Sequence, residues 1–175
     1  AIIIFINNNA NKNINVNNVT FSQNNGGSYG ALYLHDTCTA TIVDSRFNTN
    51  VGLYGGAIYG QGGTNIIVRT SNFTGNTAGW GGGIYTNAST ATVSDSTFTG
   101  NTGALGGAIY IIESSTLNVA GTTFKNNVAN VSSNGRGGGI FSSGSTATIN
   151  ASIFNGNSAL DYGGGIYGEA TNNIN

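Results

Sequence analysis

The segment Phe73-Thr74-Gly75-Asn76-Thr77-Ala78-Gly79-Trp80-Gly81-Gly82-Gly83-Ile84-Tyr85 decides the fold, because its pattern recurs along the chain. A phenylalanine is followed three positions later by an asparagine, and small residues then precede an aliphatic–aromatic pair. The phenylalanines recur every 25 to 30 residues, at Phe21, Phe47, Phe73, Phe98, Phe124 and Phe154. The asparagines recur with them, at Asn24, Asn50, Asn76, Asn101, Asn127 and Asn157. The 175-residue chain therefore consists of stacked copies of one short unit.

The residues before each phenylalanine have the period of a β-strand. A β-branched residue stands five positions before each phenylalanine and an apolar residue seven positions before it, as in Ala91-Thr92-Val93. Apolar residues two positions apart indicate a strand, and Thr, Val and Ile favour that conformation. No segment has a sustained helical period. A unit with only short strands cannot bury its apolar side alone, so neighbouring units must stack.

The repeat predicts an all-β fold, namely a right-handed, single-stranded parallel β-helix (β-solenoid) of about 6–7 coils of about 26 residues. Neighbouring coils should lie about 4.8 Å apart. We expect three faces in each coil and a single domain over residues 1–175. An insertion of about five residues within 128–136 lengthens one unit.

The repeated asparagines and phenylalanines are expected to line the interior. A side-chain amide carries both donors and an acceptor, so it can bond to the amide of the next coil, whereas stacked aspartates would repel one another. We therefore interpret the six asparagines as an internal ladder at one turn and the six phenylalanines as a core aromatic stack. The alternatives are a row of polar ligands for a glycan and a platform for sugar rings.

Glycine-rich motifs accompany the Phe-x-x-Asn units. Gly-Gly-Ala-Ile occurs at 55–58 and 106–109, and related sequences occur at 82–84, 138–140 and 164–166. Together the two motifs resemble the repeat of the chlamydial polymorphic outer membrane proteins, and the resemblance covers residues 21–167. It implies a right-handed parallel β-helix, commonly the surface-exposed passenger of an autotransporter with adhesive roles. In the first unit Gly30-Ala31-Leu32 replaces the full motif.

The composition excludes several classes of function. Only 6% of the residues are charged and the net charge is −1, so the chain lacks the basic surface that binds nucleic acid. No apolar run is long enough for a transmembrane segment. The single cysteine, Cys38, excludes an internal disulfide framework.

A few residues outside the Phe-x-x-Asn and glycine-rich motifs are candidates for catalysis, metal binding or ligand binding. Asp44 and Asp95 occupy the same repeat position two coils apart, at the upper limit of the separation in an inverting glycosidase. We favour a turn-capping role, with Arg46 or Arg69 as a surface partner. His35, Asp36 and Cys38 are too few ligands for zinc, and no cluster of oxygen ligands for calcium is visible. Trp80 and the repeated tyrosines could form an exposed stripe that binds sugar or a partner, or could simply cover the solenoid.

Five triplets match the N-glycosylation signal, and we place the candidate sites at Asn18, Asn72, Asn87, Asn130 and Asn150. Asn87 and Asn130 are the two that we expect in loops.

These observations predict a non-catalytic extracellular or cell-surface structural protein without cofactor or metal. Neither end of the sequence contains a capping segment, so either the chain is a piece of a longer solenoid or, as we expect, its coil ends stack head to tail as a homopolymer in a surface fibre or stalk. The alternative is an adhesin-like, autotransporter-type passenger that binds a glycan or a surface receptor. A polysaccharide-degrading enzyme is a remote alternative, based on fold analogy alone.

Overall fold

The computed structural model describes residues 2–4, 12–130, 134–169 and 173–174. These residues form 25 β-strands and no helix, and each strand pairs in parallel with the equivalent strands of neighbouring coils. The fold is therefore an all-strand parallel β-solenoid of about six coils with about 26 residues per turn, as the repeat predicts.

The strands form four sheets, which we label A to D in the order in which the chain visits them. Sheet A contains β1 (Ile2–Ile4), β4 (Leu32–Leu34), β8 (Ile58–Gln61), β12 (Ile84–Asn87), β16 (Ile109–Ile112), β20 (Ile140–Ser143) and β24 (Ile166–Glu169). Sheet B contains β2 (Asn13–Asn17), β5 (Thr39–Val43), β9 (Asn65–Arg69), β13 (Thr90–Ser94), β17 (Thr116–Ala120), β21 (Thr146–Asn150) and β25 (Asn173–Ile174).

Sheets C and D consist of shorter strands. Sheet C contains β3 (Thr20–Ser22), β6 (Arg46–Asn48), β10 (Asn72–Thr74), β14 (Thr97–Thr99), β18 (Thr123–Lys125) and β22 (Ile153–Asn155). Sheet D contains β7 (Val51–Tyr54), β11 (Thr77–Trp80), β15 (Thr102–Gly103), β19 (Val128–Ala129) and β23 (Ser158–Ala159).

The coil has four sheets rather than the three expected faces, because a left-handed residue bends the chain at each of four corners. In one coil these residues are Gly62 and Gly63 between sheets A and B, Thr70 between B and C, Gly75 between C and D, and Gly81 between D and A. A positive φ at a single residue ends the extended conformation, so the next strand starts in a new direction. The turn at Gly75 separates the short strands of sheets C and D.

The corner between sheets C and D is the most regular of the four. The residue two positions after each repeat phenylalanine has a positive φ in all six coils, at Gln23, Thr49, Gly75, Gly100, Asn126 and Gly156. Three different side chains, those of Gln, Thr and Asn, occur here besides glycine, at a conformation that costs an L-residue about 1–2 kcal/mol. The strain at these positions shows that the stacking of the coils imposes the turn.

The interior contains one continuous apolar core. The repeat phenylalanines, the aliphatic residues of sheet A and the alternate residues of sheet B lie within it, and side chains such as Phe98, Ile109 and Val93 are fully buried. Phe73 pairs in register with both Phe47 and Phe98, so like side chains lie directly above one another.

The glycine pairs make a close backbone approach possible. A Cβ atom on Gly82 would lie 2.3 Å from the carbonyl oxygen of Gly107 and 2.6 Å from that of Thr102. The preceding Gly81 has a φ of +64°. The first glycine of each pair thus makes the corner, and the second lets sheet D approach the start of sheet A.

The insertion lies beside sheet D. Gly103 pairs with Ala129, and Leu105 pairs with Arg136, so the additional residues lie between positions 129 and 136. Residues 131–133 lie outside the described part of the chain.

Candidate functional site

The buried asparagines form a hydrogen-bonded ladder along the solenoid. Asn76 Nδ2 donates to Asn101 Oδ1 at 2.9 Å, and Asn101 Nδ2 donates to Asn127 Oδ1 at the same distance. The ladder extends from Asn24 to Asn157, and its four inner rungs are fully buried.

Each inner amide uses all of its hydrogen-bonding capacity. The second Nδ2 hydrogen of Asn76 is donated to the carbonyl oxygen of Phe47, at 2.8 Å, in the preceding coil. Its Oδ1 accepts from both the backbone N–H and the Nδ2 of Asn50. Buried amides with this many partners stabilise the stack and leave no atom to bind a glycan.

Two columns of hydroxyl groups form further ladders, which the sequence analysis missed. One column lies between sheets B and C and contains Ser45, Ser71, Ser96, Thr122 and Ser152; the other lies between sheets A and B and contains Thr64, Ser89, Ser115 and Ser145. Ser96 Oγ accepts from Ser71 N at 3.1 Å and donates to the carbonyl oxygen of Ser94 at 2.7 Å. The available signal was a Ser or Thr two positions before five of the six repeat phenylalanines.

The repeat phenylalanines form a continuous stack inside the coils. Neighbouring ring centroids are 4.5–5.1 Å apart and the ring planes are within 11° of parallel. The inner four rings, from Phe47 to Phe124, are fully buried. Their faces are covered by the neighbouring rings, so they cannot stack on a sugar.

A second aromatic column lies outside sheet A. It consists of Tyr33, Tyr59, Tyr85, Tyr110, Phe141 and Tyr167, and all but Tyr167 are buried. A parallel column at the corner between sheets D and A covers it, with Tyr29, Tyr54, Trp80, Leu105, Arg136 and Tyr162. The tyrosines are therefore not the exposed stripe that the sequence analysis considered, because two adjacent columns pack against each other.

Burial changes the acidity of these tyrosines. It raises the pKa of Tyr33 to about 12, with smaller contributions from the neighbouring Tyr29 and Asp36. Burial also raises the pKa of Tyr59, Tyr85 and Tyr110. The phenol of Tyr59 donates a hydrogen bond to Gln61 Oε1. These groups stay neutral at physiological pH, so they form a packing layer without acid–base chemistry.

The outer column presents ring edges to solvent. The rings of Tyr54 and Trp80 are 5.1 Å apart and inclined by 13°, so each covers a face of the other. A sugar stacks on an exposed ring face, and a ladder of parallel rings offers few such faces. Tyr162 is the most exposed member of the column, at 56%.

Arg136, at the end of the insertion, replaces an apolar residue of the outer column. Its guanidinium lies 5.6 Å from the ring centres of both Tyr162 and Tyr167, and Nη1 contacts Glu169 Oε2 at 2.6 Å. Its Nε is buried and has no hydrogen-bond partner among the described residues. The cation–π contacts and the ion pair attach this coil to the one beyond it.

The acidic residues Asp44 and Asp95 lie at bends of the backbone. Asp44 and Asp95 both have a positive φ, and Asp44 Oδ1 accepts from the hydroxyl of Thr70 at 2.5 Å. Neither carboxylate forms an ion pair with a described residue, so the expected partnership with Arg46 or Arg69 is wrong. The contact with Thr70 supports a turn-capping role.

No cluster of three His, Cys, Asp or Glu side chains that could hold a metal occurs within the described ranges. His35 Nδ1 and Asp36 Oδ1 are 2.7 Å apart on the surface. Cys38 is buried nearby as a free thiol, and burial raises its pKa. A shallow depression of about 240 Å³ is lined by Tyr110, Ile112, Glu113, Ser114, Ser143 and Gly144. Its one carboxylate is that of Glu113.

The candidate glycosylation sites differ in their surroundings. Asn18, Asn130 and Asn150 are exposed, whereas Asn72 and Asn87 are half-buried. Asn87 is the last residue of β12 rather than a loop residue, and the hydroxyl of its triplet, on Ser89, is buried in a hydroxyl ladder. For Asn130, the remaining two residues of the triplet lie outside the described residues.

The parallel coils and their internal ladders define the chain as a β-solenoid. The protein-family model that describes the right-handed β-helix region matches residues 2–175, so the chain belongs to the right-handed β-helix family. That family includes enzymes and non-enzymes. No curated protein and no solved structure gives a significant match to the chain. The described residues contain no helix that could cross a bilayer.

Proposed function

We propose that the chain is a non-catalytic structural rod of an extracellular or cell-surface fibre or stalk, and that copies stack head to tail through their coils. The observation that supports this proposal most directly is the polarity of the asparagine ladder. From Asn50 to Asn127 every amide accepts from the amide of the preceding coil and donates to that of the following coil, and Asn157 accepts from Asn127. The two faces of a coil are therefore complementary, which is what a heterologous, non-closing contact needs.

The distribution of polar groups also supports a structural role. The buried amides and hydroxyls of the three ladders are satisfied by contacts between coils, and the carboxylates at the corners are dispersed along the rod. Enzymes with this architecture need several acidic or basic groups in one cleft. The resemblance to the chlamydial polymorphic outer membrane protein repeat supports a cell-surface location, which is also part of the proposal.

One observation favours a second role, an adhesin-like passenger that binds a glycan or a surface receptor. Beside the insertion, Leu160 and Tyr162 are 59% and 56% exposed. Exposed apolar side chains next to an irregular segment are typical of a protein-binding surface.

The experiment is electron microscopy of the chain, together with light scattering over a concentration series. Assembly predicts filaments with an axial repeat of about 32 Å, which corresponds to the coils of one chain. The same chain fused at Asn175 to a globular protein through a very short linker should remain monomeric, because the fusion blocks one coil face. A fusion through a long Gly/Ser linker is the matched control and should still assemble. Isolated short rods of the unfused chain at every concentration would contradict head-to-tail stacking.

A further inference from the structure

The outer face of sheet B carries a grid of two regular columns of small polar side chains, interrupted by Ile67. The first column contains Asn13, Thr39, Asn65, Thr90, Thr116 and Thr146, and the second contains Asn15, Thr41, Ile67, Thr92, Asn118 and Thr148. Three strands carry threonine in both columns, as in Thr90-Ala91-Thr92. The strands are paired in parallel without a change of register inside the sheet, so the columns are continuous.

The grid is supported by a rigid layer beneath it. The residues that alternate with the outward residues of sheet B, such as Ala91 and Val93, point into the core. From Ala40 to Ala147 almost all of these inward side chains are fully buried. Threonine has a β-branched side chain with few χ1 rotamers on a strand. The positions of the hydroxyl and methyl groups are therefore largely set before any ligand binds.

The threonine hydroxyls of this face are available. Those of Thr41, Thr90 and Thr92 are half-buried and form no hydrogen bond with another described residue, unlike the buried hydroxyl ladders at the corners. The two columns contain no charged residue among the described positions. Arg69 is exposed in a third outward column, at the edge of the sheet next to sheet C. The two uncharged columns therefore suit an uncharged and regularly hydroxylated surface.

The outer face of sheet C is a useful comparison within the same molecule. It also carries threonines, including Thr97 and Thr99, but Arg46 and Lys125 interrupt its columns. Thr97 donates its hydroxyl proton to Asn72 Oδ1 at 2.6 Å. Charge within the columns and internal hydrogen bonding therefore distinguish sheet C from the two columns of sheet B described above.

The dimensions of the grid are close to those of an ice lattice. Neighbouring strands of the sheet lie about 4.8 Å apart. The phenylalanine ring centroids inside the same coils are 4.5–5.1 Å apart. Two positions along one strand are separated by about 6.6 Å. In ice, a hydrogen-bond length of about 2.75 Å and tetrahedral geometry put second-neighbour oxygens about 4.5 Å apart, and in hexagonal ice the perpendicular repeat is about 7.3 Å.

We propose that the outer face of sheet B binds ice, with its threonine hydroxyls and methyl groups ordering water in register with the crystal surface. The mismatch is about 0.3 Å per rung and about 0.7 Å between the columns. Several neighbouring rungs can therefore contact the lattice together, and each weak contact is repeated along the rod. This binding function is independent of head-to-tail assembly, because it needs one face of a single chain.

The test is the thermal hysteresis of the whole chain, measured with a single ice crystal in a nanolitre osmometer. The wild-type chain should separate the freezing and melting points and shape the crystal. Thr92→Lys and, separately, Thr41→Lys should abolish the effect, because a long charged side chain holds the sheet away from the crystal. Circular dichroism and thermal unfolding establish that both variants are folded.

Thr99→Lys is the matched control, since it introduces the same side chain in the same coil as Thr92→Lys but on sheet C. It should retain wild-type hysteresis. The proposal is overturned if the wild-type chain shows no hysteresis, or if Thr99→Lys loses as much activity as the sheet B variants. Pelleting of the wild-type chain with crystalline cellulose or chitin in the absence of hysteresis would also overturn it, and would assign the grid to a polysaccharide surface.

Discussion

Asn76 Nδ2 lies 2.9 Å from Asn101 Oδ1 and 2.8 Å from the carbonyl oxygen of Phe47, so one amide connects three consecutive coils. The backbone N–H of Asn76 donates to the same Asn101 Oδ1 at 3.0 Å. The asparagine side chain thus replaces the backbone hydrogen bonds that a sheet would supply at this corner.

Replacing Asn76 with leucine should destabilise the protein strongly. The change leaves the backbone N–H and the amide of Asn50 and the carbonyl oxygen of Phe47 without partners in a buried site. Each buried polar group left unsatisfied costs about 1–3 kcal/mol. Equilibrium unfolding in urea measures the effect. Asn118→Leu, at an exposed position of sheet B, is the control and should change the free energy of unfolding by less than about 0.5 kcal/mol. Equal losses in the two variants would show that the ladder is not a special source of stability.

The glycines should differ in their tolerance of a side chain according to the space around them. Gly82→Ala places a Cβ 2.3 Å from the carbonyl oxygen of Gly107, so coil backbones must move apart, at a cost of about 1–3 kcal/mol. Gly100→Asn is the control, because Gly100 has open space around its Cβ position and asparagine tolerates the left-handed conformation. The difference between their unfolding midpoints in urea measures the effect. A smaller loss for Gly82→Ala than for Gly100→Asn would contradict the close backbone approach.

The repeat predicts most of the architecture because stacking places equivalent residues above one another. The spacing of Phe73, Phe98 and their equivalents defines the coil, and the pattern of alternate residues in Ala91-Thr92-Val93 defines a strand of sheet B. Each of these signals uses one residue type at one repeat position. Residues one repeat apart in the sequence are therefore in contact in the fold. These contacts can be predicted from a single sequence.

The features that the sequence did not reveal use mixed residue types. The corner between sheets B and C has positive φ values at residues as different as Asp44, Thr70 and Gly121, so its bend has no sequence signature. The hydroxyl ladders were hidden because Ser and Thr are frequent throughout the chain. The burial of Tyr85 depends on a neighbouring column that includes Trp80, and that contact arises only when the coil closes.

The buried tyrosines should make stability fall in alkaline solution. Burial raises the pKa of Tyr33 to about 12, whereas a tyrosine in an unfolded chain titrates near 10. Between these values the unfolded chain loses protons that the folded protein keeps, so the free energy of unfolding decreases as pH rises. The stabilisation is fully present below pH about 10 and is lost progressively above it.

Absorbance titration of tyrosinate, in native buffer and in urea, measures this effect. The native protein should titrate part of its tyrosines only at the higher pH, whereas the urea-unfolded chain should titrate them together. Tyr33→Phe keeps the ring stack and removes one of these groups, so its stability should fall less steeply in the alkaline range. A native titration curve identical to the unfolded one would contradict the burial of the column.

Cys38 should react slowly with thiol reagents in the folded protein. Its side chain is 1% exposed and burial raises its pKa, so both access and the thiolate fraction are low. The reaction rate with a disulfide reagent should increase on adding urea, in parallel with the loss of secondary structure. Thr41→Cys is the positive control in otherwise cysteine-free Cys38→Ala protein, because Thr41 is on the accessible outer face of β5, the strand that begins directly after Cys38. Equal reaction rates of Cys38 and of the cysteine at position 41 under native conditions would contradict this burial. They would mean that the corner between sheets A and B opens frequently, and that the hydroxyl ladder that continues from Thr64 does not hold it closed.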